Sequence, residues 1–207
     1  MQRREFLYLG TRLTLASVAA FNFGCSLQPK TDKAEKIALI YGTRYGATRD
    51  TAGWIAAGTG KQVELLDIER LDFEAIGSYD LFIIGSGIWI DGPHKRLLEL
   101  LQTHKDAIQT KIIASFIVCG TTGEDAAGRE RLKEYFARLH EPLDVLPPQQ
   151  AHFGGRMIID KLNDTDRELL AYFYTDVLKK PFVSWDKTQP QRAGRFGTSL
   201  VLKGIET

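Results

Sequence analysis

Between Thr43 and Thr48 the chain reads Thr-Arg-Tyr-Gly-Ala-Thr, immediately after an apolar run, Lys36–Tyr41, and Gly42. Thr43 and Thr48 bring hydroxyl donors, while Gly46 and Ala47 let the backbone close around a ligand. A helical pattern starts at Ala47. The start of a helix leaves unpaired N–H groups pointing outward and carries a partial positive charge. A strand emptying through small residues into a helix is therefore an anion site by geometry. It is not a Walker loop, because the Gly-Lys-Ser/Thr ending is missing, and it is not the Gly-x-Gly-x-x-Gly fingerprint. The competing reading is a tight strand-to-helix turn that holds nothing.

Two more loops carry residue types suited to a planar ligand. Gly85-Ser86-Gly87-Ile88-Trp89-Ile90-Asp91-Gly92-Pro93 leaves an apolar run, and Trp89 in it can lie flat on an aromatic ring. Its alternative role is to cap the sheet edge. Cys119-Gly120-Thr121-Thr122-Gly123-Glu124 offers amides and hydroxyls but no aromatic. Cys119 reads as a small buried filler, with a redox role as the alternative. His94 and His152 flank these loops and are candidate proton donors, or else loop histidines. Arg156 follows Gly154-Gly155, and its guanidinium can grip a carboxylate in a bidentate fork.

Positioning those loops falls to alternating strands and helices. Strands are expected at Lys36–Tyr41, Gln62–Ile68, Asp80–Gly85, Lys111–Cys119 and Gln150–Phe153. Helices are expected at Ala47–Ala57 with Gly58 as its stop, Pro93–His104, Glu124–His140, a helix opened by the capping box Thr165–Glu168 and running to Lys179, and Thr188–Leu202. Gly194 and Gly197 weaken the last of these. Leu-Phe-Ile-Ile within Asp80–Gly85 is a continuous apolar run, the mark of a strand buried on both faces. The alternation implies an α/β fold: a parallel sheet with helices on both faces and right-handed crossovers.

At 207 residues there is room for one domain of ordinary size. Lys+Arg number 27 against 26 Asp+Glu, a formal +1, which argues against a nucleic-acid binder. Two cysteines exclude a disulfide scaffold and a four-cysteine zinc site. His94, His104, His140 and His152 are scattered without metal-ligand spacing, so no metal is expected.

Residues 1–30 read as an address. A basic start precedes an apolar run, Leu13–Phe23, that is too short to span a membrane. Arg3-Arg4-Glu5-Phe6-Leu7 resembles a twin-arginine translocation signal. Gly24-Cys25 resembles the end of a lipoprotein signal, which would make Cys25 a lipid anchor; cleavage after Ala19 or Ala20 is the competitor. The bland alternative is a basic terminus that stays on. Residues 1–30 carry a net +3, which leaves the remainder at −2. The expectation is an exported protein, in the periplasm or on the outer face of the cytoplasmic membrane, that meets a membrane only through an anchor or a partner.

Thr43–Thr48 resembles the phosphate loop of flavodoxins, Ser/Thr-x-Thr-Gly-x-Thr, with Tyr45 where a small hydroxyl is usual. Over Ile37 to about Asp186 the chain resembles the flavodoxin-domain family that includes quinone-dependent protoporphyrinogen dehydrogenase. Ile40–Thr48, Ile83–Trp89 with His94 and Leu97, Phe153–Arg156 with Asp160 and Leu162, and Ser184-Trp185-Asp186 carry that likeness. The resemblance implies a flavodoxin-like doubly wound five-stranded parallel sheet, order 2-1-3-4-5, over residues 36–203, binding FMN where strands one and three diverge. It implies a site made of Thr43, Arg44, Tyr45, Gly46, Ala47 and Thr48 for the phosphate. Ser86, Gly87, Ile88 and Trp89, with Cys119, Gly120, Thr121, Thr122 and Gly123, would meet the ring. The loop at 120–123 lacks an aromatic, so one flavin face is expected to be open.

Three functions follow as expectations. The first is an exported FMN redox protein exchanging electrons with the quinone pool, a membrane dehydrogenase or another partner protein. The second is a flavoenzyme of the protoporphyrinogen-dehydrogenase type with a quinone acceptor, for which His94, Arg156 and His152 are the catalytic candidates. The third is an anchored binding module that has lost its flavin.

Overall fold

The computed structural model describes residues 35–90 and 92–203. The address-like segment 1–30, with Cys25, lies outside them. Five parallel strands form one sheet: β1 (Ile37–Gly42), β2 (Val63–Asp67), β3 (Leu81–Gly87), β4 (Ile112–Cys119) and β5 (Gln149–Gly154). Their spatial order is β2-β1-β3-β4-β5, as the sequence led us to expect. The helices are α1 (Ala47–Thr59), α2 (Lys95–Thr103), the one-turn α3 (Lys105–Ile108), α4 (Ala126–His140), α5 (Asp164–Tyr172) and α6 (Pro190–Lys203).

All six residues of β1 are buried, because both faces of the sheet are covered. Ala38 and Ile40 point into one cluster with Leu97, Leu100 and Leu101 of α2 and Leu132 and Leu139 of α4. Leu39 and Tyr41 point into the other, with Ala52 and Ile55 of α1 and Ala193 and Leu200 of α6. Each fully buried Leu or Ile contributes about 1.5–3 kcal/mol. The register sets the strand ends side by side: Gly42 pairs with Ser86, Gly87 with Val118, and Cys119 with Gly154. The loops after β1, β3, β4 and β5 therefore start from one line.

Several boundaries differ from the sequence reading. α1 runs through Gly58 and ends at Gly60. Gly58 serves a helix crossing instead: a Cβ there would lie 2.0 Å from the Gly194 carbonyl oxygen, and one on Gly197 would lie 2.1 Å from that of Ile55. The glycines that weaken α6 in isolation are what let it press against α1. α2 begins after His94, so Pro93 lies outside the helix. α5 is capped by Asn163, whose side chain accepts from the Asp166 N–H, and not by a Thr165–Glu168 box. It does not continue as α-helix to Lys179 but passes into a π-helical turn, Phe173–Val177. A two-stranded antiparallel ribbon, β6 (Arg156–Met157) with β7 (Trp185–Asp186), was not anticipated, since two-residue strands carry no periodicity.

Two stability measurements test this architecture. Gly58→Ala and Gly197→Ala should each cost about 1–3 kcal/mol in urea unfolding, because backbone must move to admit the methyl. Gly53→Ala, with nothing within 4 Å, should gain about 0.5–1 kcal/mol from helix propensity. The second concerns His140, buried beside Ser115 with Oγ and Nε2 2.9 Å apart. Burial pushes its pKa down to about 4. The unfolded chain then binds the extra proton between the ordinary value of 6.5 and about 4. Stability should therefore fall as pH drops through that window, by up to about 3 kcal/mol, and His140→Gln should flatten the slope.

Candidate functional site

The loop after β1 turns into α1 at Gly46, which sits at φ 87° in the left-handed region that glycine adopts without strain. Gly46 gives α1 no side-chain cap. Its own N–H donates to Thr43 Oγ1 at 3.0 Å, which tightens the turn and leaves the Thr43 hydroxyl proton free to donate elsewhere. Thr48 is buried on the first turn of α1, close enough to β3 that a Cβ on Gly87 would sit 2.7 Å from its Oγ1. Ala47 is the first residue of that turn.

Two guanidiniums flank Gly46. A Cβ there would lie 3.3 Å from Arg49 Nη2 and 3.5 Å from Arg156 Nη2. Arg156 donates to Asp50 Oδ2 at 2.5 Å, and Arg49 Nε lies 3.4 Å from Asp50 Oδ1. Two cations share one carboxylate, leaving the mouth of the loop positive beside a helix N-terminus. Arg156, read from the sequence as a grip for a carboxylate, holds the Asp50 carboxylate beside Gly46. Arg49 was missed in the sequence, although its place three residues after Gly46 on the first turn of a helix put it there.

Arg44 and Tyr45 turn away from the mouth. Arg44 Nε donates to Asp166 Oδ2 at 2.7 Å and its Nη2 reaches Oδ1. The Tyr45 hydroxyl also donates to Asp166 Oδ2. Burial works against the Arg44 charge, but the bonds and charge of Asp166 outweigh it and hold the guanidinium pKa above its ordinary value. Burial, then Asp166, raise the Tyr45 hydroxyl.

Trp89 stands beside both, its ring 4.5 Å from Arg44 Cζ and 5.9 Å from the Tyr45 ring. Its backbone is pinned by paired 3.0 Å bonds with Gly92. Ile88 N–H donates to the Val118 carbonyl at 2.9 Å, tying this loop to β4. Ser86 is fully buried and committed to the loop, accepting from the His94 N–H at 2.8 Å and donating to the Gly87 carbonyl.

The loop after β4 acquires an aromatic from elsewhere. A Cβ on Gly120 would meet the Trp185 ring at 3.2 Å, and Lys187 Nζ donates to the Gly120 carbonyl at 3.3 Å. Trp185 Nε1 donates to the Tyr174 hydroxyl at 2.8 Å, which fixes the indole. Trp185 thus sets an aromatic ring beside Gly120, although the loop Gly120-Thr121-Thr122-Gly123 has none of its own. Nothing local in sequence connects positions 120 and 185. Cys119 is a buried thiol, pushed up by burial, with Sγ 3.5 Å from the Thr121 carbonyl, which suits a filler.

The two histidines do not converge. The His94 ring packs across Gly42, Nε2 3.1 Å from Glu69 Oε1 and Nδ1 buried without a partner. His152 Nε2 lies 3.1 Å from the Thr122 carbonyl, and burial pushes its pKa down. It lines an open cleft of about 400 Å³ beside β5 with Arg192 and Phe196. No group of three metal-ligating side chains is gathered among the described residues.

A doubly wound parallel sheet with its loops gathered at the β1–β3 switch point is the architecture in which ligands bind outside the carboxyl ends of the strands. The flavodoxin domain family matches residues 38–181, and the chain belongs to that family. A flavodoxin from Picosynechococcus sp. (strain ATCC 27264 / PCC 7002 / PR-6) is 36% identical over 127 residues, covering 59% of this chain and 68% of that protein. A short-chain flavodoxin associated with a PDU bacterial microcompartment shares 10% identity at a TM-score of 0.50, over 81% of this chain and 97% of that one. The flavodiiron core of Synechocystis sp. PCC6803 shares 20% identity at a TM-score of 0.48, over 83% of this chain. The chain spans 36% of the length of that protein.

Gly46→Ala tests the loop alone. Forcing a side chain into the left-handed region should cost about 1–2 kcal/mol, read as a lowered midpoint of thermal unfolding.

Proposed function

We propose that this is an FMN-binding redox protein whose phosphate site is the turn from β1 into α1. The observation that carries the reading is the Gly46 turn, where the start of α1 and the Thr43 hydroxyl lie beside the guanidiniums of Arg49 and Arg156, which share Asp50. That donor set fits a phosphate monoester: amides and hydroxyls donate, and the guanidiniums balance a charge near −2. Family membership supplies independent support.

FMN would supply one- and two-electron transfer; the protein supplies binding, orientation and control of access. The amides of Ala47 and Thr48, with the Thr43 and Thr48 hydroxyls, hold the phosphate. Trp89 and Trp185 border the two loops between which a ring would lie; Trp89 packs beside Tyr45, and Trp185 is held by the bond from its Nε1 to the Tyr174 hydroxyl. The protein, on this reading, exports itself with its cofactor loaded through the twin-arginine leader, which carries folded proteins. The quinone pool, a membrane dehydrogenase or another partner protein exchanges electrons with it, as the resemblance to quinone-linked members suggests. Among the described residues no helix is long and apolar enough to cross a membrane. On this reading a lipid anchor at Cys25 or a partner brings the protein to the membrane.

An absorbance spectrum of the purified chain checks the cofactor. Flavin bands, or uptake of added FMN with quenched flavin fluorescence, are expected; a colourless protein that takes up no FMN overturns the reading. Thr43→Ala and Thr48→Ala should each weaken FMN binding about tenfold in a fluorescence titration, the worth of one hydrogen bond to a charged group.

A further inference from the structure

Between β5 and α6 the chain inserts about thirty-five residues that are not part of the sheet: β6, α5, the π-helical turn and β7. This segment touches the phosphate loop twice, on opposite flanks. At one end, Arg156 of β6 reaches Asp50 on the first turn of α1. At the other, Asp166 of α5 takes the Arg44 guanidinium through two nitrogens and the Tyr45 hydroxyl through a third bond. Asp166 is 1% exposed. A carboxylate so deeply buried is costly unless its lone pairs are filled, and here the two residues N-terminal to Gly46 fill them. Asn163 steadies the group from behind: its Nδ2 donates to Asp166 Oδ2, and its backbone N–H donates to the Tyr45 hydroxyl, both at 3.3 Å.

Arg44 and Tyr45 are flexible in principle and sit within the loop whose amides and hydroxyls must all face one point. Free of Asp166, Arg44 would compete for the phosphate, and the loop would lose the bonds that set its path between Thr43 and Gly46. We propose that the segment Gly155–Asp186 is a clamp that holds the phosphate loop in its binding conformation, with Asp166 as the positioning residue acting through Arg44 and Tyr45. The proposal rests on the FMN reading above and adds to it a residue 120 positions away in sequence that touches no part of the cofactor's phosphate. It also assigns Tyr45, the departure from the small hydroxyl usual at that place, a purpose: its phenol spans the distance from the loop to α5, which a threonine does not.

The test compares FMN with riboflavin, which has the same ring and lacks the phosphate. Wild type, Asp166→Asn and Tyr45→Phe are titrated with each by fluorescence quenching, alongside thermal melts of the apoproteins. Tyr45→Phe keeps the ring packed beside Trp89 and removes only the hydroxyl, with its bond to Asp166 and the one it accepts from the Asn163 N–H, so it remains informative if Asp166→Asn folds poorly. A clamp predicts FMN affinity about tenfold weaker in Asp166→Asn and about threefold weaker in Tyr45→Phe, with riboflavin affinity unchanged in both. Equal losses for FMN and riboflavin would mean that Asp166 only stabilises the fold, and no loss for either would remove it from the site; both outcomes overturn the proposal while leaving the FMN reading standing. A wild-type chain that binds neither flavin overturns the FMN reading itself and the clamp with it.

Discussion

The place where the site's loops gather follows from the burial of β1 on both faces. Its neighbours β2 and β3 both run parallel to it, and parallel neighbours need crossovers that return over the sheet and cover its faces. Because all five strands run the same way, their exits collect at one end. Because β2 lies on one side of β1 and β3 on the other, the chain leaves the first pair in opposite directions and a crevice opens between them. The register narrows that crevice to a few residues: Gly42 against Ser86, with Gly87 so near Thr48 that a side chain there would collide with it. The small residues at these exits let helix α1 begin with its amides facing the gap.

The electrostatics of the gap are set by how cations and carboxylates are divided. Arg44 is neutralised by Asp166, away from the mouth. Arg49 and Arg156 share Asp50 and remain in excess at the mouth. On the FMN reading a dianionic phosphate would meet these two guanidiniums, while the Arg44 charge is held to one side. The near-neutral sum over the whole chain hides this arrangement, because the sum does not record which carboxylate faces which guanidinium.

The parallel α/β alternation was legible because long apolar runs alternate with amphipathic stretches, the strand order came with the family resemblance, and the loop after β1 stood out because its residues are consecutive. What the sequence did not disclose depends on contacts between distant positions. Gly58, Gly194 and Gly197 read as a stop and as weak points by local propensity, whereas the helix crossing that needs them brings positions about 140 apart together. Asp166 reads as part of a capping box; it is buried under Arg44 and Tyr45. Trp185 reads as part of a chain ending, and lies on Gly120. Arg49 looks like surface charge, and nothing local pairs it with Arg156 until β6 brings that guanidinium beside Gly46. Local pattern finds residues that act together along the chain and is blind to those that the fold assembles.

That distinction bears on Tyr45. Judged within its own loop, it removes a hydroxyl from the cradle and argues for a lost site. Judged in the fold, its hydroxyl bonds to Asp166 and its ring packs beside Trp89, so the residue joins the phosphate loop, the loop after β3 and α5 in one cluster with Met157, Leu162 and Leu170. A loop that had ceased to bind would have no reason to keep three bonded contacts to a buried carboxylate, which costs desolvation of the ion without adding to either hydrophobic face of the sheet. The buried carboxylate is better explained as a constraint on loop shape, and a loop shape is worth constraining only where something must fit it.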